Sequence, residues 1–201
     1  MVQQKEQVVP EGAEESQATA PGAAEESRAT APPVHGLRWA IKTSFVAYVA
    51  RMQDGRAHLG NGVAVNERNE MIFPLEEDAA SVTETFAFGG DVRFVGHFGM
   101  LSVHIALPRV VVRAGGRGEL TVLDPASRDG GRLRLVTFDL TGRRTEGGIE
   151  EWHATDVRLA PEGVELFGDV YEAGEPFAPL TITVPRPERP EHPGRPEGNH
   201  G

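Results

Sequence analysis

The sequence has no cysteine. Thiol nucleophiles, disulfides and cysteine-held zinc are excluded, and a reducing compartment is compatible but not required. No apolar run approaches the roughly 20 residues of a membrane-spanning helix, so no span is expected. The first sixteen residues lack an apolar core between a basic flank and a cleavage site, and so do not read as a signal peptide. A cytoplasmic location is the expectation, although a trimmed form of a secreted chain would read the same. Clustered positive charge is also missing. Asp and Glu number 30 against 20 Lys and Arg, a formal net charge of −10. Residues 1–35 hold six Glu against Lys5 and Arg28, while 185–201 balance three Arg with three Glu, so the middle of the chain is acidic too. Nucleic acid and anionic membrane need clustered Lys and Arg and are not expected partners.

What is present divides into a middle and two ends. The hydrophobic fraction of 39% is below the globular norm, and the deficit lies in the ends. Residues 1–35 carry a near-repeat with a period of 11, from Ala13 to Pro21 and again from Ala24 to Pro32. Neither copy has a large apolar residue and proline closes each, which favours a disordered acidic tail over a helical repeat. The proline-rich stretch 185–201 reads as a second, extended tail. The 36–184 stretch is long enough to bury a core.

Within it, apolar residues at Leu37, Ile41, Phe45, Tyr48, Val49 and Met52 follow helical spacing and predict an amphipathic helix over about 37–52, stopped by Asp54-Gly55. Alternation then predicts strands at 62–65, 71–74, 81–88, 91–97, 101–107, 110–113, 119–123, 132–139, 152–159, 164–167 and 179–184, separated by glycine-rich turns. The expected fold is mainly β, a sandwich or barrel-like domain of about ten or eleven short strands with an N-terminal amphipathic helix docked on it.

Tyrosine is scarce, with only two in the chain. Tyr48 on the apolar helix face reads either as an ordinary amphipathic core residue or as a residue turned toward a ligand. In the second case a phenol, ordinarily protonated with a pKa of about 10, becomes a phenolate ligand to ferric iron, with a histidine beside it as hydrogen-bond partner. His97, at the end of a strand between Gly96 and Gly99, is the candidate partner, and is equally readable as an ordinary strand-end histidine. Tyr171 either closes a β-arch or walls a ligand pocket. Ser44 lies one turn before Tyr48, so the two hydroxyls point the same way. It has no His and Asp partners for a nucleophile triad. No HExxH pattern is present.

The run from Trp39 to Val49 (WAIKTSFVAYV) resembles the start of the HtaA domain, the haem-binding module of actinobacterial haem-uptake proteins. The likeness continues through Phe73-Pro74, VRFVGHFG at 92–99, LPRVV at 107–111, Gly118-Glu119-Leu120, VTFDL at 136–140 and FGDVYEAGEPFAPLTITV at 167–184. It covers about 36–184, in matching order and spacing. The resemblance implies a haem-binding protein rather than an enzyme, with ferric haem b held by one axial tyrosinate. Tyr48 is the implied iron ligand, His97 its hydrogen-bond partner, and Tyr171 a further site tyrosine. Ser44 and Phe45 are implied to face the porphyrin, Val49 to pack against it, and Phe98 to join the site beside His97. Haem transport, buffering or delivery is the implied role, with donor and acceptor unnamed and either a monomer or a haem-linked dimer. The alternatives are a haem-dependent peroxidase or haem-degrading enzyme, for which no distal acid–base pair is evident, and a β-sandwich interaction module without haem.

Overall fold

The computed structural model describes residues 33–76 and 85–186. Apart from 33–35 and 185–186, both expected tails lie outside the described residues, as does 81–84 of the strand expected at 81–88.

The chain enters the fold as a strand, β1 (Gly36–Trp39), where a helix was expected. The spacing of Leu37 and Ile41 fits both periods, because four residues is one helical turn and also two strand repeats. Trp39, between them in parity, decides for the strand, and all three are fully buried. The direction changes at Ile41, which takes φ 61°. A β-branched residue in this left-handed region costs on the order of 1–3 kcal/mol. Burial and the bond from the Ala178 N–H to the Ile41 carbonyl (2.8 Å) hold it there. The helix, α1 (Thr43–Arg51), follows and is shorter than expected. Phe45 and Val49, one turn apart, are its buried face.

The remaining elements are strands: β2 (Arg56–Gly60), β3 (Ala64–Val65), β4 (Met71–Pro74), β5 (Thr85–Ala87), β6 (Asp91–Gly96), β7 (Leu101–Ala106), β8 (Arg109–Val112), β9 (Arg117–Leu123), β10 (Arg132–Glu146), β11 (Ile149–Leu159) and β12 (Leu180–Pro185). Two expectations are corrected. Residues 164–167 are not a strand but belong to consecutive 3-10 turns, Pro161–Gly163 and Glu165–Phe167. Proline presets the first turn, and Gly168 ends the second at φ 65°. His97 does not end a strand but opens a 3-10 turn, His97–Gly99.

Nine strands form one antiparallel sheet in the order β3-β4-β1-β12-β11-β10-β9-β8-β5, and β2-β6-β7 form a second. The large sheet curls, so that Phe86 of its flank strand β5 packs edge-on against Trp152 of β11 with centroids 5.4 Å apart. A bridge between Leu75 and Phe88 brings the two flanks together. This mainly β, barrel-like arrangement with one docked helix is the expected class. No described helix is long and apolar enough to cross a membrane.

Trp39 lies between Met71 and Leu180 across the sheet. Its indole Nε1–H donates to the Ala178 carbonyl at 2.9 Å. Removing it empties the position where β1, β12 and the helix approach meet. Trp39→Ala is expected to lower unfolding free energy by about 3–5 kcal/mol in urea titrations, and a loss below about 1 kcal/mol would contradict this placement.

Candidate functional site

Tyr48 occupies the outer part of α1 and is 48% exposed. Its hydroxyl lies 2.5 Å from His97 Nε2, 49 residues along the chain. The turn that brings His97 there is unusual. His97 and Phe98 take φ 50° and 55° in succession, followed by Gly99 at φ 91°. Two consecutive left-handed residues that are not glycine store on the order of 1–3 kcal/mol each. The turn is held at one side by the Met100 N–H on the His97 carbonyl (3.1 Å). On the other side the Phe98 N–H donates to Asp54 Oδ2 at 2.5 Å. That N–H above all, with the backbone N–H groups of Asp54 itself and of His97 adding, keeps the Asp54 carboxyl below the usual carboxylate range.

Beside the pair opens a cleft of about 270 Å³ between α1, β7 and the 165–171 segment. Phe45 forms its floor, packed edge-on against Phe94 (5.1 Å) and Phe167 (5.4 Å). Leu101 and Val103 of β7 form one wall; Leu166, Phe167 and Tyr171 form the other. The Ser44 side chain lies close enough to the Tyr171 phenol to act on its ionisation. Burial pushes that phenol's pKa up, Ser44 opposes the shift, and the charges of Glu175 and Tyr48 reinforce it. Lys42, nearly buried, clamps this wall to the start of the helix. Its Nζ donates to Glu175 Oε1 (3.0 Å) and the Pro176 carbonyl (2.9 Å) and sits 4.8 Å from the Tyr171 ring centre.

The structure therefore gathers Phe45, Tyr48 and Tyr171 on one cleft, with Ser44 reaching it through Tyr171 and His97 through Tyr48. Phe98 is 93% exposed beside the pair and is not among the lining residues. Val49 is elsewhere: it is buried and lines a separate apolar cleft of about 260 Å³ with Met71 and Phe94. Sequence reasoning missed the walls. Leu101 and Val103 showed only strand alternation, and Leu166 and Phe167 were assigned to a strand. Lys42, Met100 and Asp54 gave no signal beyond ordinary helix-flank and loop residues.

A larger groove, about 390 Å³, lies on the outer face of β8–β11. Its charges largely satisfy one another, with Arg113 on Glu119 (2.9 Å) and Arg158 on Asp156 (2.6 Å). It offers no uncompensated charge of one sign. Among the described residues, no three His, Asp or Glu side chains gather to hold a metal ion. The Tyr48–His97 pair offers something different: one oxygen ligand next to an apolar wall, with an imidazole placed to take or return its proton.

A family model, HtaA, matches residues 35–183. The fold is similar to the crystal structure of the C-terminal domain of HtaA from Corynebacterium glutamicum, with TM-score 0.61 and 25% identity over 76% of this chain and 96% of that one. It is also similar to the N-terminal domain of HtaA from the same organism, with TM-score 0.62 and 21% identity over 79% and 100%. Heme binding protein HtaB, again from Corynebacterium glutamicum, aligns with TM-score 0.55 and 20% identity over 74% and 93%. At these lower identities the likeness shows the fold alone. No curated protein matches the chain.

With two tyrosines in the chain, Tyr48→Phe isolates the Tyr171 phenol. Its alkaline titration, followed by ultraviolet difference absorbance, is expected to fall above the ordinary midpoint of about 10, and a midpoint at or below that value would contradict its burial.

Proposed function

The chain belongs to the HtaA family, and from that premise we propose that it binds ferric haem reversibly, with Tyr48 as the axial ligand. One observation carries the reading: the Tyr48 hydroxyl and His97 Nε2 stand 2.5 Å apart at the mouth of an apolar cleft. Family membership supports haem as the ligand class, and heme binding protein HtaB shares the fold. Ferric haem contributes a Lewis-acidic iron and a flat apolar surface.

The chain's own residues do the rest. A neutral imidazole with Nε2 unprotonated would accept the phenol O–H across this contact. To hold ferric iron the Tyr48 oxygen would have to give up its proton, and His97 is the group placed to take it. When the proton moves to Nε2, the imidazolium N–H donates back to the phenolate, so the pair stays hydrogen-bonded in both states. A phenolate is a hard, anionic oxygen donor that favours Fe(III) over Fe(II), so reduction loosens the complex. The aromatic floor and aliphatic walls suit a porphyrin face. The cleft lies just below the span of about 300–1,000 Å³ usual for small-molecule sites. A cleft of this size would cover only part of a porphyrin, which suits cargo that is handed over. Glu165 is the one charged side chain among the lining residues, so the cleft itself would supply no cation to the haem carboxylates. Transport, buffering and delivery share this chemistry.

Hemin titrated into the protein is expected to give a saturable one-to-one visible change with high-spin, tyrosinate-type bands. Tyr48→Ala should abolish it with the fold retained. His97→Ala should keep binding but weaken it by about 10–100-fold, the usual effect of losing a group that supports a metal ligand. Undiminished five-coordinate binding by Tyr48→Ala would overturn the assignment.

A further inference from the structure

We infer that Asp54 is the positioning residue of this site: its carboxylate clamps the His97–Phe98 turn to the end of the helix that carries Tyr48, and so sets the distance between phenol and imidazole. The inference rests on the reading of Tyr48 and His97 as the haem-ligating pair.

Three observations converge on it. The first is the hydrogen bond itself, Phe98 N–H to Asp54 Oδ2 at 2.5 Å, which joins residues 44 apart in sequence. Asp54 follows Tyr48 by six residues, just past the helix end, where the Met52 and Gly55 N–H groups close tight turns on Val49 and Met52 (3.1 and 3.2 Å). The carboxylate is thus fixed to the element that carries the phenol. The second is the way the backbone allows the contact. A Cβ on Gly55 would lie 1.9 Å from the Val49 carbonyl oxygen, and one on Gly96 would lie 2.7 Å from Met52 Cε and 3.8 Å from Gly55 Cα. Gly55 lets the chain fold tightly against its own helix end, and Gly96 lets the strand that leads into the His97 turn lie close against the Met52 side chain there. The third is that packing does not hold the turn. His97, Phe98, Gly99 and Met100 are all exposed. A run of left-handed residues with no buried side chain needs another restraint, and it turns its N–H groups toward a common anion. Asp54 is the anion there, and its lowered pKa agrees with that geometry.

Asp54 does not touch the ligand in this account; it acts through His97. Without it the turn relaxes toward commoner backbone angles, the imidazole leaves the phenol, and Tyr48 keeps the iron without its partner.

The test uses the full chain with Asp54→Ala, Asp54→Asn, His97→Ala and the Asp54→Ala/His97→Ala double variant. Two readouts apply: the rate of hemin transfer to apomyoglobin, and the iron–phenolate stretch seen by resonance Raman. Asp54→Ala is expected to speed haem loss roughly 10-fold or more and to move the stretch to its position in His97→Ala. Asp54→Asn keeps a carbonyl acceptor for the Phe98 N–H and should stay close to the unaltered chain. The double variant should behave as His97→Ala alone. An unchanged stretch in Asp54→Ala, or effects that add in the double variant, would overturn the inference. Should the unaltered chain fail to take up hemin, the functional reading falls by itself. The clamp is then judged in the haem-free protein by the Phe98 amide resonance. A strongly downfield amide with a Tyr48–His97 ring contact, both lost in Asp54→Ala, supports it. An ordinary amide shift in the unaltered chain, which needs no variant to fold, sinks it.

Discussion

The corner between β1 and α1 is the constraint on which the rest of the molecule depends. Trp39 ends β1 and Ile41 lies in the short connection that sets the angle between β1 and α1, and both are fully buried. The left-handed Ile41 makes that angle, and one short stretch of chain secures it from both sides. The indole of Trp39 donates to the Ala178 carbonyl, and the Ala178 N–H donates to Ile41. Lys42, the next residue, reaches Glu175 and Pro176 of the same stretch. The direction in which Tyr48 leaves the core follows from this arrangement. A helix entering at another angle would carry its phenol away from His97.

From that corner a chain of aromatic contacts runs to the cleft. Trp39 meets Phe177, Phe177 meets Phe167, Phe167 meets Phe45, and Phe45 meets Phe94 of the small sheet. Most are edge-to-face, a geometry worth more than area burial alone. The cleft floor is therefore continuous with the core. The other half of the site is built differently: the His97 turn rests on a carboxylate and on the close approach at Gly96, with its side chains in water. The phenol is presented by packing and the imidazole by hydrogen bonding.

This difference governs what the sequence makes legible. Packed elements leave periodic traces, and the register of β7 and the Phe45–Val49 face of the helix are both readable as hydropathy. Where two periods coincide the trace is ambiguous, as at Leu37 and Ile41. Where neither face is buried there is no trace. The edge strand β2 has every residue but its last exposed, so Arg56–Gly60 carries no alternation. The far end of β10 likewise extends past the core as mostly exposed polar residues, and the expected strand stopped short of it. The pairing of Tyr48 with His97 emerged from a resemblance, because spacing alone left both residues open to ordinary readings. Asp54 was invisible for a related reason. An Asp-Gly after a helix is a routine stop signal, and its partner Phe98 lies 44 residues away, in the short gap between two expected strands.

The position of β12 has a consequence for how the protein comes into being. It is the last described strand in sequence, yet it lies in the interior of the large sheet, between β1 and β11. Until residues 180–185 have left the ribosome, β1 and β4 lack the ladder that joins them to β11 and touch the rest of the sheet only near Leu75 and Phe88, and the stretch that locks the Trp39 corner has only just appeared. Non-local pairings of this kind form late. The nascent chain thus carries both Tyr48 and His97 for more than eighty residues of synthesis before the fold can hold them in place, and the site matures only at the end of translation of the domain.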